Sequence, residues 1–120
     1  MDQWILPAGI SLDDIQEHVR QSCPRLNPSQ FHAVMASFQH RLLLVQGPPG
    51  TGKTTTASNI VAMHRCLTGG CLVCAASNVA IDTIAAALKT LNEPFARFGT
   101  DVTPDYCEVL KENLPRGKDD

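Results

Sequence analysis

The sequence carries no surplus of positive charge. Ten Lys and Arg stand against twelve Asp and Glu, for a net charge of −2 and a pI near 6.0. No basic stripe stands out, so bulk electrostatics do not draw the chain to nucleic acid, and any such binding must come from local backbone contacts. No apolar run approaches the roughly 18–20 residues that a membrane-spanning helix needs, so no membrane partner is expected. The opening Met1-Asp2-Gln3-Trp4 lacks a basic stretch followed by an apolar one and does not read as a secretory signal. The expected location is the cytoplasm or nucleus. Cysteine comes in an odd number, five, which in that setting points to reduced thiols rather than a disulfide framework. Internal repeats, low-complexity tracts and linkers are absent. With 43% apolar and 18% charged residues, the composition is that of an ordinary globular segment. Its 120 residues suffice for one domain.

What is present is a phosphate-binding signature. Gly47-Pro48-Pro49-Gly50-Thr51-Gly52-Lys53-Thr54 fits G-x-x-x-x-G-K-[ST] without a mismatch. Leu42-Leu43-Leu44-Val45-Gln46 before it is a short apolar run suited to a buried parallel strand. Thr54 to Leu67 after it can form a helix. Strand, glycine-rich loop and helix are the context the motif requires. Backbone N–H groups of the loop and of the helix start would surround a β-phosphate. The cradle runs from Gly47 to Thr55 and includes the neighbouring hydroxyls of Thr51, Thr54 and Thr55. Lys53 would reach the β- and γ-phosphates, and the Thr54 hydroxyl would ligate Mg²⁺, so these two residues are the candidate catalytic pair of a nucleoside triphosphate–Mg²⁺ site.

Punctuation residues set the remaining expectations. Ser11 caps a helix to about Ser22, with Leu12, Ile15 and Val19 on one face and Pro24 beyond its end. Asn27-Pro28 opens a second, with Phe31, Val34, Met35 and Phe38 as its stripe. The P-loop helix spans about 53–67 and stops at Gly69-Gly70. A second strand is expected at 71–76, a helix at about 79–91 facing inward with Ile81, Ile84, Ala85 and Leu88, a third strand at 95–98, and a last helix over 103–114. The resulting β-α-β-α-β order predicts an α/β P-loop NTPase fold, a partial doubly wound parallel sheet with flanking helices and nucleotide at the carboxyl ends of the strands. Cys71 and Cys74 have C-x-x-C spacing, with His64 and Cys66 nearby. On a strand, i and i+3 point to opposite faces, so no metal site is expected there.

A P-loop alone means nucleotide binding. Two further segments discriminate: Leu26-Asn27-Pro28-Ser29-Gln30 upstream, and Cys74-Ala75-Ala76-Ser77-Asn78-Val79-Ala80-Ile81-Asp82 downstream. With Gln46 to Thr54 they resemble superfamily 1B helicases of the up-frameshift and senataxin type. The resemblance covers about residues 26–99 and has one departure, Ala76 where proline is usual. It implies that Gln30 contacts adenine and that Ser77, Asn78 and Val79 meet the nucleic-acid backbone. Arg97-Phe98-Gly99 resembles the R-x-G segment that follows in that family. The implied organisation is an extension over 1–25, a partial ATP-binding lobe over 26–100 and a tail over 101–120.

Hydrolysis needs an acidic pair after a strand, and translocation needs a second lobe with arginine fingers. No Asp or Glu here follows a four-residue apolar run, and no second lobe fits after residue 99. The chain therefore reads as the front of a helicase lobe, inactive alone, binding single-stranded RNA or DNA weakly, with the rest of the core possible on another chain. A stand-alone nucleotide-binding or interaction module, or a small P-loop kinase or other NTPase, stays open beside it.

Overall fold

The computed structural model describes Leu6, residues 9–47 and residues 52–98. The described elements are four helices: α1 (Leu12–Ser22), α2 (Pro28–Ser37), α3 (Lys53–Thr68) and α4 (Asn78–Thr90). The chain divides into two compact units, with the boundary between Leu72 and Val73.

The helix starts follow from their caps. The Ser11 hydroxyl accepts from the Asp14 amide and the Asp14 carboxylate accepts from the Ser11 amide, each at 3.1 Å, satisfying two amides at the head of α1. Asp13 and Asp14 also place negative charge in the first turn, where the helix dipole favours it. Asn27 and Gln30 repeat the arrangement at α2, at 2.8 and 3.0 Å, with Pro28 in the first turn. Ser77 caps α4 by accepting from the Ala80 amide at 3.1 Å. The end of α4 is a Schellman closure. Asn92, at φ 57°, takes the left-handed position, its amide donating to the Lys89 carbonyl and the Glu93 amide to the Leu88 carbonyl.

The core of the first unit is where α1, α2 and α3 meet. Ile15, Val19, Val34 and Phe38 are fully buried, joined by Ala62 and Met63 of α3. Each such aliphatic or aromatic side chain stabilises the fold by roughly 1.5–3 kcal/mol relative to exposure. Leu12, expected on the inner face of α1, is 43% exposed. Phe38 closes α2 and lies flat on His64 of α3, ring centroids 3.9 Å apart. The Ser37 hydroxyl donates to the Val34 carbonyl at 2.6 Å, so the His64 Nε2–H is the donor in its 2.9 Å contact with the Ser37 oxygen.

Burial holds the His64 imidazole below its ordinary value of 6.5, against a smaller upward pull from a hydrogen bond to the Ser37 backbone. The unfolded chain therefore binds this proton more readily than the folded one. Stability should be unaffected by this group well above pH 6.5 and should fall as the pH drops below it. Urea unfolding at pH 7.5 and pH 5.5 measures the drop. His64→Gln should shrink it, and an equal drop in both proteins would assign it elsewhere.

The sheet expected from the sequence is not there. Among the described residues no strand forms at 42–46, 71–76 or 95–98, and the doubly wound parallel sheet gives way to helices joined by irregular segments. Leu42 is 79% exposed, Leu44 85% and Leu72 88%, where a central strand would have buried them. An apolar run is necessary for a buried strand but does not make one. The strand exists only when a neighbouring backbone completes its ladder, and among the described residues none does. The helix expected at 103–114 lies outside the described residues.

Candidate functional site

Three of the four helices are capped by their own side chains; α3 is not. Its N-cap is Gly52, which has no side chain to fold back onto the first-turn amides. Those amides and the positive end of a 16-residue helix form an anion-attracting terminus. Lys53, exposed in the same turn, adds a cation where the helix dipole disfavours one, by about 0.3–1 kcal/mol. An anion placed there would answer both.

Gly52 is shaped for this place. Its φ is +78°, left-handed backbone that costs a side-chain-bearing residue about 1–2 kcal/mol. Its carbonyl accepts from the Thr56 amide at 3.0 Å, the Thr56 hydroxyl at 3.1 Å and the Gln30 Nε2 at 3.3 Å. A Cβ on Gly52 would lie 2.4 Å from that Gln30 nitrogen. The Gln30 Oε1 is meanwhile held by the Asn27 amide, so the side chain ties the start of α2 to the start of α3. Gly52→Ala should therefore displace Gln30 as well as strain the loop. Adding Gln30→Ala should recover the steric part of the stability loss and leave the backbone part. Thermal melts of the two singles and the double separate them, and strictly additive losses would mean that the two residues do not meet.

Gln30, Gly47, Lys53 and Thr56 line one cavity of about 270 Å³, with Asn27 and Gln46. The structure thus brings together residues from the α2 cap, the loop and the head of α3. Thr54 and Thr55 sit in the first turn of α3, half-buried and exposed respectively. Pro48, Pro49, Gly50 and Thr51 lie outside the described residues. Buried polar side chains on α3 bond back to their own helix: the Ser58 hydroxyl and the Asn59 amide both donate to the Thr55 carbonyl, at 3.0 and 2.8 Å. Cys66 Sγ lies 3.5 Å from His18 Nε2, and Cys71 Sγ is 3.8 Å from the Val61 carbonyl.

The second unit holds the other predicted residues. Ser77 caps α4, Asn78 is its first residue, and Val79 is 76% exposed. The group that organises them is Arg97, which the sequence marks as part of an R-x-G segment without showing its contacts. Arg97, expected on a strand, is only 4% exposed. Its Nε donates to Asp82 at 3.1 Å, its Nη2 to the Asn78 Oδ1 at 3.0 Å, and its Nη1 to the Phe98 carbonyl. A lone arginine in the otherwise apolar Phe95-Ala96-Arg97-Phe98 was the only local sign of a buried ion pair.

Comparison with known proteins gives a consistent picture. The family described as AAA domain matches residues 25–113. The ATP-dependent helicase NAM7 of Saccharomyces cerevisiae is 50% identical over 95 residues, covering 75% of this chain and 10% of that protein. The ATP-dependent helicase upf1 of Schizosaccharomyces pombe is 40% identical over 87 residues, 67% of this chain and 8% of the relative. Regulator of nonsense transcripts 1 of Dictyostelium discoideum is 40% identical over 110 residues, 89% of this chain and 8% of the relative. The chain thus spans a tenth or less of the length of these relatives. No solved structure matches it significantly.

Proposed function

The chain belongs to the AAA domain family, as a segment of a superfamily 1B helicase of the up-frameshift type, and from that membership we propose that it supplies the ATP-binding front of such a motor. The parent activity is ATP-driven unwinding of, or translocation on, RNA or DNA. Within it, residues 26–100 act as the partial ATP-binding lobe, flanked by an extension over 1–25 and a tail over 101–120.

The observation that carries this reading is the meeting of Gln30 with Gly52, 22 residues away, beside Lys53 and an uncapped helix start. An adenine reader and a phosphate cradle must share one cavity, and these residues do. Hydrogen-bond capacity supports the base contact. A glutamine amide offers two donors and two acceptor positions. Among the described residues Gln30 uses one of each, toward Gly52 and Asn27. One donor and one acceptor remain, the pair that adenine N7 and N6 require. Lys53 would oppose the β- and γ-phosphates, the non-proline residues of the Gly47–Thr55 cradle would supply amides, and the Thr54 hydroxyl would hold Mg²⁺. Mg²⁺ would bring charge neutralisation between the phosphates. The chain's own part is to bind and orient the nucleotide. Ser77, Asn78 and Val79 meet the backbone of a single strand.

Titration with a fluorescent ATP analogue tests the site. Lys53→Ala removes a charge-assisted contact worth about 1.5–3 kcal/mol, roughly ten- to a hundredfold in affinity. Gln30→Ala should weaken ATP more than UTP. Unchanged affinity in Lys53→Ala would overturn the phosphate assignment. Equal losses for both nucleotides would reduce Gln30 to a helix cap.

A further inference from the structure

Aromatic side chains make up only 5% of this chain, so where each one goes is informative. Of the four phenylalanines, Phe38 is fully buried against His64, Phe31 is half-buried beneath the Arg20 guanidinium, and Phe95 is half-buried. Phe98 is 68% exposed. Its backbone is nevertheless held. The Phe98 carbonyl accepts from Arg97 Nη1, while Arg97 Nη2 donates to the Asn78 Oδ1 and Nε to Asp82. One planar, buried guanidinium thus ties Phe98 to the first residue of α4. Val79, the next residue of α4, is 76% exposed. The second unit therefore presents a bare aromatic ring on an anchored backbone, tied to the turn of α4 that bears a bare aliphatic side chain.

We propose that Phe98 is a stacking platform for an unpaired base of the single strand assigned above to Ser77, Asn78 and Val79, and the proposal rests on that assignment. Charge favours stacking over a phosphate clamp. The chain carries a net charge of −2, and the cation bonded to Phe98, Arg97, is already paired with Asp82. Affinity of this unit for a strand must then come largely from uncharged contacts. An aromatic ring supplies a strong one, because every base has a π-face to lay on it. Size favours a base over a protein partner. A stable protein interface needs roughly 800 Å² on each side, far more than two side chains offer, whereas one base needs only one ring. A benzyl group makes no hydrogen bond, so the contact carries no sequence code. It demands instead that the base be out of a duplex, where its faces are already covered.

The test is fluorescence anisotropy of the full chain with labelled oligouridylate and, in parallel, oligodeoxythymidylate. Phe98→Ala should weaken both by roughly five- to a hundredfold, the range for losing one stacked base. Phe98→Leu, which keeps apolar bulk and discards the π-face, should lose nearly as much, and Phe98→Trp should bind at least as well as the parent. The factors should be equal at low and high salt, because stacking releases no counterions. Far-UV helicity and affinity for the ATP analogue report whether each variant is folded, and at so exposed a position none should differ from the parent. A direct reading comes from Phe98→Trp combined with Trp4→Phe, which leaves a single indole. Its emission should be quenched as oligouridylate is added, up to millimolar. No quenching would overturn the proposal, however weakly the parent binds. Parent-like binding by Phe98→Leu would overturn it too, in favour of a plain apolar contact. Parent-like binding by Phe98→Ala, while Ser77→Ala with Val79→Asp weakens it, would overturn the proposal and leave the nucleic-acid assignment standing. Were all of these parent-like, the assignment would fall, and the proposal with it. Self-association lost in Phe98→Ala with strand binding intact, read by sedimentation, would make the ring a contact between copies instead.

Discussion

Asp82→Ala is expected to damage the second unit more than removing both members of its ion pair. The reason is asymmetric burial. Arg97 is 4% exposed, whereas the Asp82 side chain retains 26% of its surface. Removing Asp82 strands a guanidinium away from water with, among the described residues, only neutral partners, Asn78 and the Phe98 carbonyl. Breaking a buried pair in this way costs about 3–5 kcal/mol, while replacing both partners by apolar side chains is often close to neutral. Arg97→Met combined with Asp82→Ala should therefore be more stable than Asp82→Ala alone. Hydrogen exchange of the α4 amides, read by mass spectrometry, reports on this unit specifically. Protection in the single variant that equals or exceeds that of the double would contradict the burial argument.

Phe38→Ala should cost the first unit a comparable amount, about 3–5 kcal/mol, since it removes a fully buried aromatic ring and leaves a cavity. For a domain this small that is a large share of a total near 5–15 kcal/mol. The ring also braces His64, so the loss falls on the contact between α2 and α3. Gln30 and Gly52 sit at the other end of that contact, and affinity for the ATP analogue should decline along with stability. Leu44→Ala, at an 85% exposed position, is the control and should stay within about 0.5 kcal/mol of the parent. Urea midpoints of the two variants compare them directly. Equal midpoints would mean that Phe38 is not a core residue.

The helices were legible because their signals are local. Ser11 with Asp14, Asn27-Pro28 and Ser77 are caps whose partners lie three residues away, so each start could be read from a few letters. The core positions Ile15, Val19, Val34 and Phe38 followed from the same spacing. The extended segments failed for the opposite reason. Leu42 to Val45 has a strand's composition, but pairing is decided by whatever backbone lies alongside, and that is not written in the segment. At the site, the glycine-rich loop and Lys53 were legible as a motif. The contact of Gln30 with Gly52 spans 22 residues, and its bond geometry was not. Arg97 stands in a segment that the sequence marks, but its ties to Asp82 and Asn78, 15 and 19 residues back, depend on how the chain turns after α4.

The bared stretch from Leu42 to Val45 sets a practical limit on this molecule that its folding free energy does not. Uncharged, proline-free and mostly facing water, it resembles the short windows through which chains adhere to one another. Adhesion of that kind rises with concentration and draws on the folded protein, so a better core would raise the melting point and leave the solubility where it was. A single charge at the most exposed of these positions, Leu44→Glu, would do the reverse.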